Sequence, residues 1–494
     1  MAQPPSSLPM DPTGPTGQLC LWIDSVKFSD IPESIKTRAK YLILDGIGCA
    51  LVGAHLPWSE KAVNVFLDIE APGQCAIFGW DKVSLHLQPE ALALIQSQKI
   101  SPLSAALLNS TFIQGFELDD WHSEAPLHSN SILLPSLFAS LPVLKSVTSG
   151  PQFLLSYLIG LEVGPRVGNA LYGRYILTQG WHSGAVFGPP ASAAAVSKLF
   201  HLDAAKVEDA LGIACTQACG LMSAQFESDV KRMQHGFPAR NGLMAALLAR
   251  GGYVGIKKVF EREYGGFLGM FSKGNGKDPQ FKIDELTDGL GKIWKTSNVK
   301  LKPYSAMAAT HTSIDCIRKL QRQNKEKMQD FDNMETITLK MGDVSYSHGG
   351  FEVQRPLTNV GAQMSAMYVA ATQMVDNQVM PQQFRHAMLD RDIVWDLVRK
   401  MKCVLNKGWT KAQQSVEIKF KDGSTMQAQL ASARGTYPEL SNAEIVEKWK
   451  GLMNGVIDDE RRDRIEKLCL GLEECGDMME LCELLEGVTN NPIA

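Results

Sequence analysis

The hydrophobic pattern divides the chain into two kinds of segment. From about residue 19 to residue 294, apolar and small residues recur at helical spacing. Ile35 to Ala54, Ala191 to Leu199 and Ala210 to Ala224 are apolar or small on nearly every side, the mark of helices buried all round. Asp30-Ile31-Pro32-Glu33 reads as the start of the first, with an acidic cap, an early proline and a glutamate placed to reach back. The pattern changes after Lys300. Met334 to Met341 alternates, with Ile337, Leu339 and Met341 on one side and Thr336, Thr338 and Lys340 on the other, as in a half-buried strand. Ser415 to Phe420 alternates again and returns through Asp422-Gly423 into Thr425 to Leu430, a hairpin signal. Helical spacing lies between these strands, at Gln363 to Met374 and Ile393 to Met401. Beyond them Ser441-Asn442-Ala443-Glu444 is a capping box, and Asp459 to Leu485 is amphipathic.

The expected fold is therefore mainly α. A disordered tail over residues 1–18 precedes a large all-helical domain over 19–300. A smaller α+β domain follows over 301–433, and a helical segment over 434–494 returns to the first domain.

Composition acts mostly by exclusion. The 494 residues are 45% hydrophobic and 21% charged, the balance of a globular protein with a large core. A net charge of -4, with basic residues scattered among acids, provides no field for nucleic acid or an anionic membrane. The ten cysteines contain no CxxC, and the closest pair, Cys215 and Cys219, reads as reduced thiols rather than a disulfide or metal site. Met1 to Gln18 carries no Lys or Arg, so it is neither a signal peptide nor a mitochondrial presequence, which points to the cytoplasm. The longest apolar run, Tyr41 to Gly53, contains Asp45 and is too short to span a bilayer.

Three segments hold candidate chemistry. Glu117 to Ser129 packs Glu117, Asp119, Asp120 and Glu124 around His122 and His128, closing on Pro126. Carboxylates of this kind can orient an acid–base imidazole, although a capped helix end with solvated charges has the same composition. No HExxH or related metal spacing occurs. The second segment is Gly180-Trp181-His182-Ser183-Gly184, which is not a GxSxG elbow, because the serine is misplaced and no strand precedes it. The third is Lys231-Arg232-Met233-Gln234-His235, continuing to Arg240. It is either a solvated helix end or a site for a polyanionic small molecule. Lys231 and His235 stand four apart, so on one helix they would share a face. Lys302, Tyr304 and His311 could add donors from the domain boundary.

Asp119-Asp120 with His128, Gly180-Trp181-His182, the run Asp209 to Gly220, and Lys231 through His235 to Gly242 together resemble the MmgE/PrpD family. The resemblance runs from about Trp22 to Glu486 and is strongest to the family's fungal decarboxylases. It implies a homodimer of two-domain subunits with the site in the cleft between domains, acting on a small-molecule tricarboxylate. The reaction expected first is decarboxylation of cis-aconitate to itaconate and carbon dioxide, with no cofactor and no metal. Dehydration of 2-methylcitrate or an alkylcitrate is the rival within the family, and a non-catalytic tricarboxylate-binding paralogue is the rival outside it. By position the resemblance implies His128, His182 and Lys231 as catalytic, and Glu117, His122, His235, Lys302 and Tyr346 as substrate-binding. Glu117 stands where many members have aspartate, and His348 competes with Tyr346 for the place of the lid tyrosine. Met307 stands where some decarboxylases have a polar residue, often histidine, and Ser129 follows His128 in place of the common proline.

Overall fold

The structure, a computed structural model, describes residues 7–80, 99–225, 228–409 and 412–494. The fold is mainly α and forms two compact units. The first comprises Met1–Gly115, Asp119–Val299 and Trp449–Asn490; the second comprises Phe116–Leu118, Lys300–Lys448 and Asn491–Ala494.

The first unit is built from helices α1 (Pro15–Ser25), α2 (Glu33–Gly53), α3 (Pro57–Ile69), α4 (Pro102–Ile113), α5 (Asn130–Ser140), α6 (Gly150–Ala170), α7 (Ser183–Leu199), α8 (Ala204–Cys215) and α9 (Gly236–Arg250). Residues 1–6 of the expected tail lie outside the described residues, but α1 begins inside the rest of it. Pro15 opens the helix, and Leu19, Cys20 and Ile23 are fully buried at helical spacing. Burial of that face overrides the tail-like composition around it. The start of α2 also differs from the expected cap. Asp30 accepts the Lys27 backbone N–H at 2.8 Å, and Pro32 stands at the cap position with no side-chain bond.

Small residues set how closely these helices cross. A Cβ on Gly53 would lie 1.9 Å from the Phe112 carbonyl oxygen, so α2 meets α4 backbone to backbone only because glycine is there. Helix α5 is buried along its whole length. Among the described residues no single helix is long and apolar enough to cross a membrane; α2 and α3 would pass only as a pair bent by 80°.

The second unit contains α10 (His311–Gln323), β1 (Met334–Met341), α11 (Asp343–Gly349), α12 (Ala366–Asp376), α13 (Asp392–Arg399), β2 (Met401–Leu405), β3 (Gln414–Phe420) and β4 (Thr425–Leu430). The sheet order is β2-β1-β3-β4. β1 pairs antiparallel with β3, Leu339 opposite Val416, and parallel with β2, Leu339 opposite Cys403. Ile337, Leu339 and Met341 form its buried face. The β3–β4 hairpin turns at Gly423, whose φ of 81° suits glycine. β2 is absent from the sequence-based reading, in which Met401 ended a helix. The apolar run Gln363 to Met374 is interrupted as well, since Ser365 breaks it and caps α12 by accepting the Tyr368 N–H.

The capping box forms as read: Ser441 Oγ accepts the Glu444 N–H, and the Glu444 carboxylate accepts the Ser441 N–H at 2.9 Å. It opens α14 (Asn442–Met453), within which the unit boundary falls. Helices α15 (Asp459–Leu470) and α16 (Met479–Glu486) then belong to the first unit.

Candidate active site

Three loops of the first unit bring three imidazoles together. His128 is the second residue before α5, His182 is the residue before α7, and His235 is the residue before α9. The His235 ring lies between the other two, its centroid 4.9 Å from each. His235 is fully buried, and its place depends on Gly184, where a Cβ would fall 2.0 Å from its Nε2. The space that glycine leaves in Gly-Trp-His-Ser-Gly is thus filled by another histidine of the chain.

Each outer histidine has its own control. Asp119, almost wholly buried, puts Oδ2 2.8 Å from His128 Nδ1, which leaves Nε2 as the outward-facing nitrogen. His182 is fixed by pairing of its strand-like loop: its N–H donates to the Gly220 carbonyl at 3.1 Å. Its Nδ1 accepts the Ala185 N–H at 3.3 Å, capping α7. An accepting Nδ1 requires the neutral ring with the proton on Nε2. Desolvation, and then the charges of His128 and Lys231, push its pKa down to about 3 against a smaller opposing effect from Asp119.

The acidic doublet splits its roles. Asp120 is fully buried, and its carboxylate accepts the N–H groups of Ser129 (2.9 Å) and Asn130 (3.0 Å) at the head of α5. Burial first, and then the Asp119 charge, raise its pKa to about 7, while His128 and the two backbone donors pull it back. His122 lies in the same loop but is committed to backbone. Its Nδ1 accepts the Ala125 N–H at 3.0 Å, and its Nε2 lies 3.2 Å from the Lys295 carbonyl. These bonds make His122 a tie for the turn that presents His128.

The basic patch is similarly divided. Arg232 is buried over the Trp58 ring, with its guanidinium directed to the Gln114 carbonyl. Arg240 lies over Phe237 and bonds Asn241. Lys231 is half-buried and near enough to act electrostatically on His182. It stands in the short helix Asp229–Met233, which ends before α9 begins, so Lys231 and His235 share no helix face.

The second unit holds a separate polar cluster. Glu117, at φ 58°, puts Oε2 3.4 Å from Lys302 Nζ, and both residues are buried. The short segment carrying Glu117 is pinned on both sides. Gln363 Nε2 donates to the Phe116 carbonyl, and Lys448 Nζ donates to the Leu118 carbonyl, each at 3.0 Å. His311 is buried with Nε2 2.8 Å from the Ala306 carbonyl. Its pKa falls to about 3, by desolvation before all else, with Lys302 and Lys448 adding to the fall. Tyr304 packs edge-on to His311 and is hydrogen-bonded to Asp315, Arg318 and Arg434. Tyr346 is half-buried on α11 with its ring against Gly350, whereas His348 is exposed. The methyl end of Met307 faces Gly349 on the same helix, so α11 meets a thioether there.

Among the described residues no group of His, Cys, Asp and Glu side chains converges as a metal site. The first unit's cluster offers an oriented imidazole, a neutral imidazole donor and an ammonium, a set suited to carboxylate chemistry with proton transfer.

Two family models match the chain: the MmgE/PrpD N-terminal domain over residues 17–280 and the MmgE/PrpD C-terminal domain over residues 304–472. The chain belongs to the MmgE/PrpD family. Its relatives include a protein of Aspergillus oryzae named cis-aconitate decarboxylase-like protein oryM, 46% identical over 484 residues, which are 96% of this chain and 97% of the relative. A cis-aconitate decarboxylase of Aspergillus terreus is 42% identical over 97% of this chain and 98% of its own length. The human cis-aconitate decarboxylase is 23% identical over 96% and 94%.

Within this MmgE/PrpD chain, two features escape a reading of the sequence. Asp119 is visible as half of an acidic doublet, but nothing local says which aspartate meets His128. Gln363 and Lys448, which hold the Glu117 segment, stand about 250 and 330 residues from it and carry no motif.

Proposed function

We propose that the chain is a carboxy-lyase that converts cis-aconitate to itaconate and carbon dioxide without an added cofactor. The observation that carries this reading is the row of rings His128–His235–His182, with Asp119 at one outer ring and the Lys231 charge acting on the other. The full-length relatives named for cis-aconitate supply the substrate class.

In cis-aconitate the departing carboxylate sits on a methylene next to a carbon–carbon double bond. When its bond to that methylene breaks, the electron pair forms a new terminal double bond. The old π pair moves to the far carbon, which bears another carboxylate and must take a proton. Lys231 binds a substrate carboxylate as a point charge and favours the build-up of negative charge. His182 donates a hydrogen bond from Nε2 to that charge, a role open to a neutral ring. His128, oriented by Asp119, delivers the proton to carbon. His235 keeps the two outer rings apart and in register. Lys302, held by Glu117, and Tyr346 are proposed as carboxylate-binding groups from the family resemblance. The same resemblance implies that the active molecule is a homodimer.

The test is product analysis with cis-aconitate, reading headspace carbon dioxide and the proton spectrum of the product. Carbon dioxide with itaconate is the expected result. Hydration products without carbon dioxide would replace this reading with a dehydratase. A raised melting temperature without turnover would make the chain a binding protein.

A further inference from the structure

The outer face of α10 carries chemistry that the proposed reaction does not use. Arg318 and Arg322 stand one turn apart on the helix, and Lys325 follows it. These three cations line a cavity of about 470 Å³, which is completed by Gln321, Gln373 and Asn377 among others and by no Asp or Glu. Arg322 and Lys325 are exposed, with no carboxylate at ion-pairing distance among the described residues. Like charges one turn apart cost a helix a few tenths of a kcal/mol, a cost that an anion bound between them would remove.

A solvated basic face has the same charges but lacks a fixed polar wall, and here the wall is built. Gln373 Nε2 donates to Gln321 Oε1 at 3.0 Å, while Gln321 Nε2 donates to the backbone carbonyls of Gln373 and Met374. Gln373 is 1% exposed, and its Oε1 is buried with no hydrogen-bond partner. Guanidinium forks suit carboxylate or phosphate, and the cavity is sized for a small molecule.

We propose that this pocket is an accessory binding site for a compact polyanion, either a polycarboxylate or an organic phosphate. The test is isothermal titration of the full chain at physiological ionic strength with two probes, citrate and ribose 5-phosphate. At least one should bind saturably, with a component that becomes about tenfold weaker or worse in Arg322→Glu/Lys325→Glu and persists in Lys231→Met. The responding probe tells carboxylate from phosphate. Should the charge-reversed protein melt early, Arg322→Gln/Lys325→Gln replaces it with the same expectation. Two results would overturn the site: neither probe saturating below roughly 10 mM, or binding that is lost in Lys231→Met and kept in the pocket variants.

Discussion

At the scale of single residues, the structure gives different tasks to histidines that look alike in sequence. His122 and His128 share one loop, yet His122 bonds backbone through both nitrogens while His128 meets the Asp119 carboxylate. His182 caps a helix through Nδ1, and burial holds its pKa down at about 3. His182→Asn should therefore lower turnover by on the order of a hundredfold without moving the acid limb of the pH–rate profile. A shifted limb would show that His182 changes charge during catalysis. For Lys231 the expectation is different, because its proposed role is through charge. Lys231→Met should raise KM for the trianion and flatten its dependence on salt; unchanged saturation curves would place the ammonium outside the site. The candidate residues His128, His182 and Lys231 were legible from their motifs. Their division of labour was not, because it depends on which backbone groups and carboxylates the fold brings to each ring.

Elements were legible wherever a local period was clean. β1 and the β3–β4 hairpin alternate, and they form at the read positions. β2 was lost because Met401 to Leu405 continues an amphipathic helix without a break in polarity, and only parallel pairing with β1 makes it a strand. The helix starts that carry the site are a subtler case. Gly184 lies in the first turn of α7 and accommodates the ring that precedes α9. Gly184→Ala should displace His235 and cost about 1–3 kcal/mol of stability by overpacking, with a loss of turnover. His235→Ala should remove the collision, so the double variant should be less impaired than additivity requires. Strict additivity in melting and turnover would show that the two residues do not share a contact. The head of α5 gives a pH signature. The Asp120 pKa rises from 3.8 to about 7 on folding, so between those values the folded state holds a proton that the unfolded chain has lost. This group's contribution to stability thus falls as pH rises from about 4 to about 7. Asp120→Asn should flatten that part of the stability curve, measured by denaturant titration across the window; an unchanged slope would mean the carboxyl ionises normally.

At the scale of the whole molecule, the mainly α character and the change of pattern near Lys300 could be read from periodicity. The inclusion of Phe116–Leu118 in the second unit could not, because three residues carry no period and their place is set by Gln363, Lys448 and Lys302. The proposed reaction sets a proton balance over a full cycle: one carbon loses carbon dioxide and another gains a proton. If an imidazole of the chain delivers that proton, it exchanges with solvent before the next turnover. In heavy water, cis-aconitate should then yield itaconate with one carbon-bound deuterium, located on the saturated methylene and absent from the terminal alkene. The position matters, because protonation at the carbon that lost carbon dioxide would label a methyl-bearing isomer instead and would mean the electron pair never crossed the double bond. A product without carbon-bound deuterium would require the new proton to come from a group that does not exchange with solvent between turnovers, and no exchangeable histidine could then be its carrier. His128→Asn should slow formation of the labelled product while leaving the label's position unchanged, since the substrate's conjugation, and not the acid, decides where the charge arrives.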